Sequence, residues 1–243
     1  MCGRFTSTST VTDLAEVFGV DEVRAEPLDP RYNVAPSLPV YAVALRRPGG
    51  GSDQAVHRAL GTFRWGLIPS WATDPAVGNR MINARAEGIT TKPAYRRAVV
   101  ARRCLIPADA FYEWQRRVGA DGRAAGRLPH AVRRRDGRPM ALAGIWESWR
   151  DPAEPAAPPV RTCAIVTTAA NALLAPVHDR MPVIVEEPDW QPWLDPETGM
   201  GLVETLMRPA ADDLLEVYPV STRVNHVAHD GPELLEPLGD RPA

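Results

Sequence analysis

Lysine is almost missing from this chain. Of its 28 basic side chains only Lys92 is a lysine; the others are arginines. Bias toward alanine, arginine and proline is the plain reason, yet the chemical consequence holds either way. Apart from the amino terminus, Lys92 is the chain's one primary amine. Arginine instead supplies fixed charge in a planar fork that suits phosphate. Cysteine is scarce too, limited to Cys2, Cys104 and Cys163. An odd number excludes a closed disulfide framework, and residues 1–10 lack the apolar run of a signal peptide, so a reducing, cytoplasmic compartment is expected. No stretch is long and apolar enough for a membrane-spanning helix, and no membrane partner is expected. The histidines (His57, His130, His178, His226, His229) and the cysteines show no CxxC or HxxxH pair, so neither a metal site nor a cofactor is expected. A net charge of -2 excludes a bulk polycation. Any nucleic acid must meet a local basic face.

What is present suffices for a core: 44% hydrophobic residues, 7 tryptophans among them, in 243 residues. Residues 10–19 predict a short helix, with Thr10 capping, Asp13 three residues on, and Gly19 closing it. Residues 27–39 are proline-rich and read as irregular. Strands are expected over 40–45, 62–68, 104–106, 110–114, 140–146, 162–168, 183–185 and 215–220. Gly49 to Ser52 marks a hairpin loop, and 69–79 an exposed loop carrying Trp71. Pro93 opens a helix to about 101, with short helical pieces at 190–193 and 202–207. The arginine-rich stretch 116–138 reads as a long hairpin or surface loop, and 150–160 as a second surface loop. No repeat and no βαβ alternation is visible. The expectation is one α+β domain over 1–243 with its core at 2–238. It is β-rich, with antiparallel, barrel-like sheets and a few short helices. A monomer is expected; protein partners are not legible.

Periodicity stops there, and motifs go further. The opening Cys2-Gly3-Arg4-Phe5 is followed by Arg31-Tyr32-Asn33-Val34-Ala35-Pro36, Trp65-Gly66-Leu67-Ile68-Pro69-Ser70-Trp71 and Asn83-Ala84-Arg85-Ala86-Glu87. Then come Arg103-Cys104-Leu105-Ile106-Pro107, Phe111-Tyr112-Glu113-Trp114, Ala143-Gly144-Ile145-Trp146-Glu147 and His178-Asp179-Arg180-Met181-Pro182, with Val224-Asn225 last. In this order the series resembles the SRAP family (SOS response-associated peptidases, abasic-site processing proteins). The resemblance implies a DNA-damage protein that acts on abasic sites in single-stranded DNA and is nucleoid-associated when bound; the initiator methionine is removed either by the protein itself, as the family's peptidase label implies, or by a cellular aminopeptidase that accepts the small residue at position 2.

The residues make chemical sense of that. A ring-opened abasic site presents an aldehyde. Without Met1, Cys2 carries an amine and a thiol on adjacent carbons. The amine forms a Schiff base with the aldehyde, and the thiol closes a five-membered thiazolidine with the high effective molarity of an intramolecular step. An α-amine of pKa about 7.7–8.0 is neutral roughly one time in ten near pH 7, against well under about one in a thousand for lysine. The other reading keeps Met1 in place and makes Cys2 an ordinary buried thiol.

Glu113, flanked by aromatics, suits proton transfer at a raised pKa, and the resemblance makes it catalytic; otherwise it is a strand-end surface glutamate. His178 suits acid–base work on the sugar or in crosslink reversal. By resemblance Asn83 contacts the abasic sugar and also assists catalysis, while Arg85 meets the adjoining phosphates. Arg4 and Arg180 are further phosphate candidates. Trp71 is expected as a wedge against flanking bases, with core packing as the other reading. Asn33 and Pro36 are expected to line the pocket, and Thr167 and Thr168 to offer hydroxyls to the DNA backbone. A weak lyase activity through the Schiff base is compatible. Two other functions stay open: a thiol peptidase acting in trans, and a non-covalent single-stranded DNA-binding protein.

Overall fold

The computed structural model describes residues 2–46, 56–119 and 122–239. Its strands are β1 (Arg4–Ser7), β2 (Glu22–Val23), β3 (Arg31–Val34), β4 (Pro39–Arg46), β5 (His57–Trp65), β6 (Asn83–Arg85) and β7 (Arg103–Ala108). They continue as β8 (Ala110–Val118), β9 (Ala124–Arg134), β10 (Met140–Trp149), β11 (Val160–Ala169), β12 (Arg180–Pro182) and β13 (Leu215–Pro219). The helices are α1 (Val11–Val17), α2 (Arg96–Ala101), α3 (Trp190–Leu194) and α4 (Met200–Leu206). The protein is a strand-rich α+β fold, and no described helix is long and apolar enough to cross a membrane.

Alternation along the strands builds two cores at once. On β4, Val40, Ala42 and Ala44 enter one cluster, while Tyr41 and Val43 enter the other. Such strands are covered on both faces, which is why they read in sequence as unbroken apolar runs. The ladder order β11-β10-β7-β4-β5 returns to β11 through a parallel pairing, Thr162 opposite Arg64 and Cys163 opposite Trp65. The ring closes as a small barrel. Phe63 on β5 and Trp146 on β10 are not ladder neighbours, yet their rings meet edge to face at 5.7 Å across the interior. Helices cover the outer face, where Leu14, Phe18, Val99, Trp190 and Trp193 pack on Tyr41, Val43 and Leu60. A second sheet, β13-β9-β8-β1-β3, packs its Phe5, Phe111 and Val132 into the barrel-side core. Phe5 lies 5.0 Å from Trp65.

Pairing is antiparallel except for β2 and β11 on β5 and for β6 on β11. Helix α1 carries the expected capping box between Thr10 and Asp13, and Gly19 takes φ 56°. Several boundaries differ from expectation. The stretch 27–39 is not wholly irregular, since β3 pairs with β1 inside it. Strand β5 starts at His57 and stops at Trp65 because Gly66 turns away with φ 131°. The strand expected at 183–185 lies at Arg180–Pro182 instead. Val183 and Val185 bond to Val166 and Ala141 on different strands, leaving an isolated bridge between Ile184 and Leu142. The arginine-rich stretch is a β8–β9 hairpin paired from Ala110–Arg133 to Val118–Ala124. The glycine-rich loop at 49–52 lies outside the described residues.

Candidate active site

Strand alternation decides where Phe111-Tyr112-Glu113-Trp114 points. Phe111 faces the barrel-side core, while Tyr112 and Trp114 face a smaller cluster around Val220 and Val224. Glu113 shares the face of Phe111 and is buried, 1% exposed. Burial raises its carboxyl from 4.5 to about 7, against the opposing positive charge of the chain's amino terminus. It is not the surface glutamate that one reading allowed.

Strand β1 lies antiparallel to β8, with Arg4 opposite Tyr112 and Phe5 opposite Phe111. Continued backward, that register brings residues 2 and 3 beside 114 and 113. Cys2 is fully buried in the cluster that holds Phe5 and Trp65. Its carbonyl accepts a 2.8 Å hydrogen bond from Asn83 Nδ2. Burial, and next the nearby Glu113 charge, push its thiol well above the ordinary range. The sulfur therefore keeps its proton until a base removes it. Cys104 and Cys163 are also buried inside the fold, and burial raises both thiols.

Asn83 stands on β6, which runs parallel to β11 with Asn83 opposite Ile165 and Arg85 opposite Thr167. Tyr95 donates its hydroxyl to the Asn83 carbonyl at 3.3 Å. Asn83 Oδ1 is buried and has no hydrogen-bond partner among the described residues. An orphaned buried acceptor costs about 1–3 kcal/mol, and a ligand that brings a donor there recovers it.

His178 follows a tight turn in which its N–H bonds to the Leu174 carbonyl. Its Nε2 is 3.9 Å from Glu113 Oε2. The Arg180 backbone N–H donates to His178 Nδ1 at 2.9 Å, while Asp179 Oδ1 also lies 2.9 Å from that nitrogen. One nitrogen cannot accept from the first and donate to the second. The backbone donor has no alternative polarity and Asp179 is an 88% exposed side chain, so Nδ1 is the acceptor and Nε2 carries the proton toward Glu113. Burial lowers the His178 pKa, keeping the neutral form.

Arg180 is held in place by its neighbours. Its guanidinium pairs with both oxygens of Glu87 and donates to the Thr167 carbonyl at 2.6 Å. Arg85 is exposed at the end of β6. Trp71 is 65% exposed on the turn after β5, so it does not pack in the core. Its loop is clamped where Gly66 and Gly78 approach too closely for a Cβ on either. Pro36 is half-buried in the turn where Ser37 takes φ 73°.

Three expected DNA contacts are buried. Asn33 is 1% exposed, and its Nδ2 bonds to the carbonyls of Val224, His226 and His229. Its Oδ1 accepts from Arg4 Nη1 at 2.9 Å, and the same Arg4 nitrogen donates to the Val224 carbonyl. Asn33 thus holds Arg4 and the 224–229 loop and presents no free amide. Thr167 is fully buried with Oγ1 turned to Arg180, and Thr168 is 6% exposed, so neither offers an open hydroxyl. Glu87, Tyr95 and Asp230 carry weight that no motif assigned. Asp230 accepts from the Tyr32 and Asn33 N–H groups at 2.6 and 2.8 Å. Glu87 was legible as the last residue of the Asn83-to-Glu87 string, whereas nothing local singles out Asp230.

A cavity of about 530 Å³ opens over these groups, lined by Glu113, Trp114, Arg116, Arg127, Val177, His178 and Asp179. It joins the buried Glu113, His178 and two arginines.

Comparison with known proteins settles the family. The family model described as SOS response associated peptidase (SRAP) matches residues 1–227. The chain belongs to the SRAP family. Among relatives of this SRAP chain is the abasic site processing protein YoqW of Bacillus subtilis, 39% identical over 97% of this chain and 99% of its own. Another is the abasic site processing protein HMCES of Gallus gallus, 30% identical over 86% of this chain and 66% of its own. The abasic site processing protein YedK of Escherichia coli is 29% identical over 98% of this chain and all of its own. A crystal structure of a Bacteroides thetaiotaomicron protein shares the fold with a TM-score of 0.81, at 21% identity over 98% of this SRAP chain and 100% of its own.

Proposed function

We propose that this protein processes abasic sites in single-stranded DNA by capturing them covalently at Cys2, once Met1 has been removed. The relatives' names supply the substrate class. The observation that carries the chemistry is the Asn83 hydrogen bond that pins the Cys2 carbonyl beside the Glu113–His178 pair.

The Cys2 amine adds to the C1′ aldehyde carbon and gives a carbinolamine. Glu113, protonated, donates to the departing hydroxyl, which leaves as water, and a protonated imine (iminium) remains. Glu113, now ionised, takes the thiol proton and returns to its acid form, and Sγ adds to the iminium carbon. The C=N electron pair moves to the nitrogen, which keeps its proton, and the thiazolidine closes. One water is lost overall and nothing is oxidised or reduced. A carboxyl near pKa 7 serves as acid and base in turn at neutral pH. His178 Nε2–H stabilises the ionised carboxylate between the two roles. Arg85 and Arg180 meet phosphates beside the lesion, and the exposed Trp71 stacks on a flanking base. An abasic sugar has no base to read, so no sequence preference is required.

The test is a denaturing gel after incubation with uracil-glycosylase-treated single-stranded DNA. A slow-migrating species is expected with the wild-type protein and none with Cys2→Ala. A species of equal yield in Cys2→Ala overturns the proposal. Processing in trans of peptides that do not begin with Met1 would favour the thiol peptidase instead. Binding indifferent to the lesion and to Cys2 would favour a non-covalent binder.

A further inference from the structure

Several arginines near the site stand beside carboxylates. At the root of the β8–β9 hairpin, Arg133 pairs with Glu216, Arg134 with Asp136 and Glu186, and Arg138 with Glu187. Across the site, Arg180 pairs with Glu87. The middle of the hairpin is arranged differently. Arg116 lies directly opposite Arg127 in the cross-strand register. Both are exposed, and neither has a hydrogen bond or ion pair among the described residues. Like charges facing each other across a ladder are destabilising, and the sequence 115–128 supplies one carboxylate, Asp121, against four arginines. An anion between the two guanidinium groups would relieve that repulsion.

Place makes the pair more specific than a solvated basic loop. Both arginines line the cavity that contains Glu113 and His178. Strand β8 carries both Glu113 and Arg116, so the hairpin continues the strand that holds the buried acid. The charge of Arg127 is felt at His178, whose pKa it helps to lower. Arg85 and Arg180 belong to the barrel sheet, on β6 and β12, which flank β11. The hairpin belongs to the other sheet. Cys2 enters between the two, so cationic groups stand on both sides of the reactive residue.

We infer that Arg116 and Arg127 form a phosphate clamp that grips the DNA backbone on one side of the abasic sugar, opposite the Arg85 and Arg180 side. The inference rests on the covalent-capture reading of the pocket and narrows its substrate. The protein selects a lesion inside a strand that continues past the sugar on the hairpin side. A lesion at the corresponding strand end leaves the clamp empty.

Binding to an unreactive lesion separates the clamp from the chemistry. The probe is a fluorescent single-stranded oligonucleotide with a central tetrahydrofuran abasic analogue, measured by anisotropy over a salt series. The double variant Arg116→Ala/Arg127→Ala is expected to bind about tenfold more weakly. Its salt slope is expected to be shallower by about 1.4, from roughly 0.7 for each of two phosphates no longer neutralised on a single strand. Arg116→Lys/Arg127→Lys is expected to recover most of the affinity. Arg117, which does not line the cavity, serves as the control, and Arg117→Ala is expected to bind as wild type. Two further probes carry the analogue at the 5′ or the 3′ end. The gap between wild type and double variant is expected to vanish for one of them. Unchanged affinity and slope in the double variant, an equal loss in Arg117→Ala, or a gap that persists with both end-lesion probes overturns the clamp. Failure of the crosslinking gel with intact binding differences would overturn the covalent reading and leave the clamp standing.

Discussion

Glu113→Gln should stabilise the protein at alkaline pH while disabling its chemistry. Glu113 is 1% exposed, and burial holds its carboxyl at about 7 where an unfolded chain has 4.5. The folded state therefore binds this proton more tightly than the unfolded state. The associated stabilisation is complete below about pH 4.5, falls as pH rises, and is gone above about pH 7. From 4.5 to about 7, at about 1.4 kcal/mol per pH unit, the ionised carboxylate costs the fold about 3 kcal/mol. Glutamine keeps the shape and cannot ionise. Denaturant unfolding of both proteins between about pH 4.5 and pH 8.5 measures the difference, since other titrating groups are common to both. The stability of Glu113→Gln relative to wild type is expected to climb by about 3 kcal/mol across that window and to level off above about pH 8. Crosslinking by the same variant should fall by about a hundredfold, as for the loss of a general acid–base group. A stability difference that stays flat with pH refutes the assignment of a raised pKa to Glu113. A difference that falls with pH means that the carboxylate is stabilised by its surroundings.

Asn83→Ala removes the donor that pins the Cys2 carbonyl at 2.8 Å; crosslinking is expected to slow by about ten- to a hundredfold, with stability changed by no more than about 1–2 kcal/mol, and an unchanged rate in a single-turnover gel assay contradicts it. Cys2→Ser keeps the amine after Met1 loss and removes the sulfur, so borohydride should trap an imine and strand cleavage should rise relative to wild type; no trapped species and no cleavage contradict the amine as first nucleophile. Gly66→Ala places a Cβ 2.6 Å from the Gly78 carbonyl oxygen at φ 131°; a loss of about 2 kcal/mol or more is expected by thermal unfolding, with the Trp71 loop displaced. Thr10→Ala breaks the capping box of α1 and should cost about 1 kcal/mol without touching crosslinking, because α1 packs on the outer face of the barrel.

Legibility in the sequence tracked how local each signal was. The capping box at Thr10 and Asp13, the Gly19 stop and the apolar runs of β4, β10 and β11 rest on neighbours a few residues away, and they fell where their patterns put them. Boundaries failed where a distant partner decided them. β3 exists inside a proline-rich stretch because β1 pairs with it, and 183–185 lost its strand by bonding to two different strands. Barrel closure needs the Thr162–Arg64 pairing, between residues far apart in the chain, which no periodicity encodes. The site divided the same way. Cys2, Glu113, His178 and Asn83 stand in short strings whose chemistry can be named from the residues; the fold sets Asn83 on the Cys2 carbonyl and His178 beside Glu113. Asn33 stands in an equally clear string, yet it is buried as a support for Arg4, and Thr167, at a strand end, is buried against Arg180. Whether a polar side chain faces a ligand or a neighbour depends on packing from across the molecule, and Asp230 shows the converse.

The most direct test of covalent capture at Cys2 is mass spectrometry of the tryptic digest after reaction with abasic single-stranded DNA. Capture through the amine and thiol of Cys2 predicts the adduct on the peptide Cys2-Gly3-Arg4, with Met1 absent, the sulfur resistant to alkylation and the linkage resistant to borohydride. An adduct on the peptide containing Lys92, or a crosslinked species that retains Met1, would contradict it.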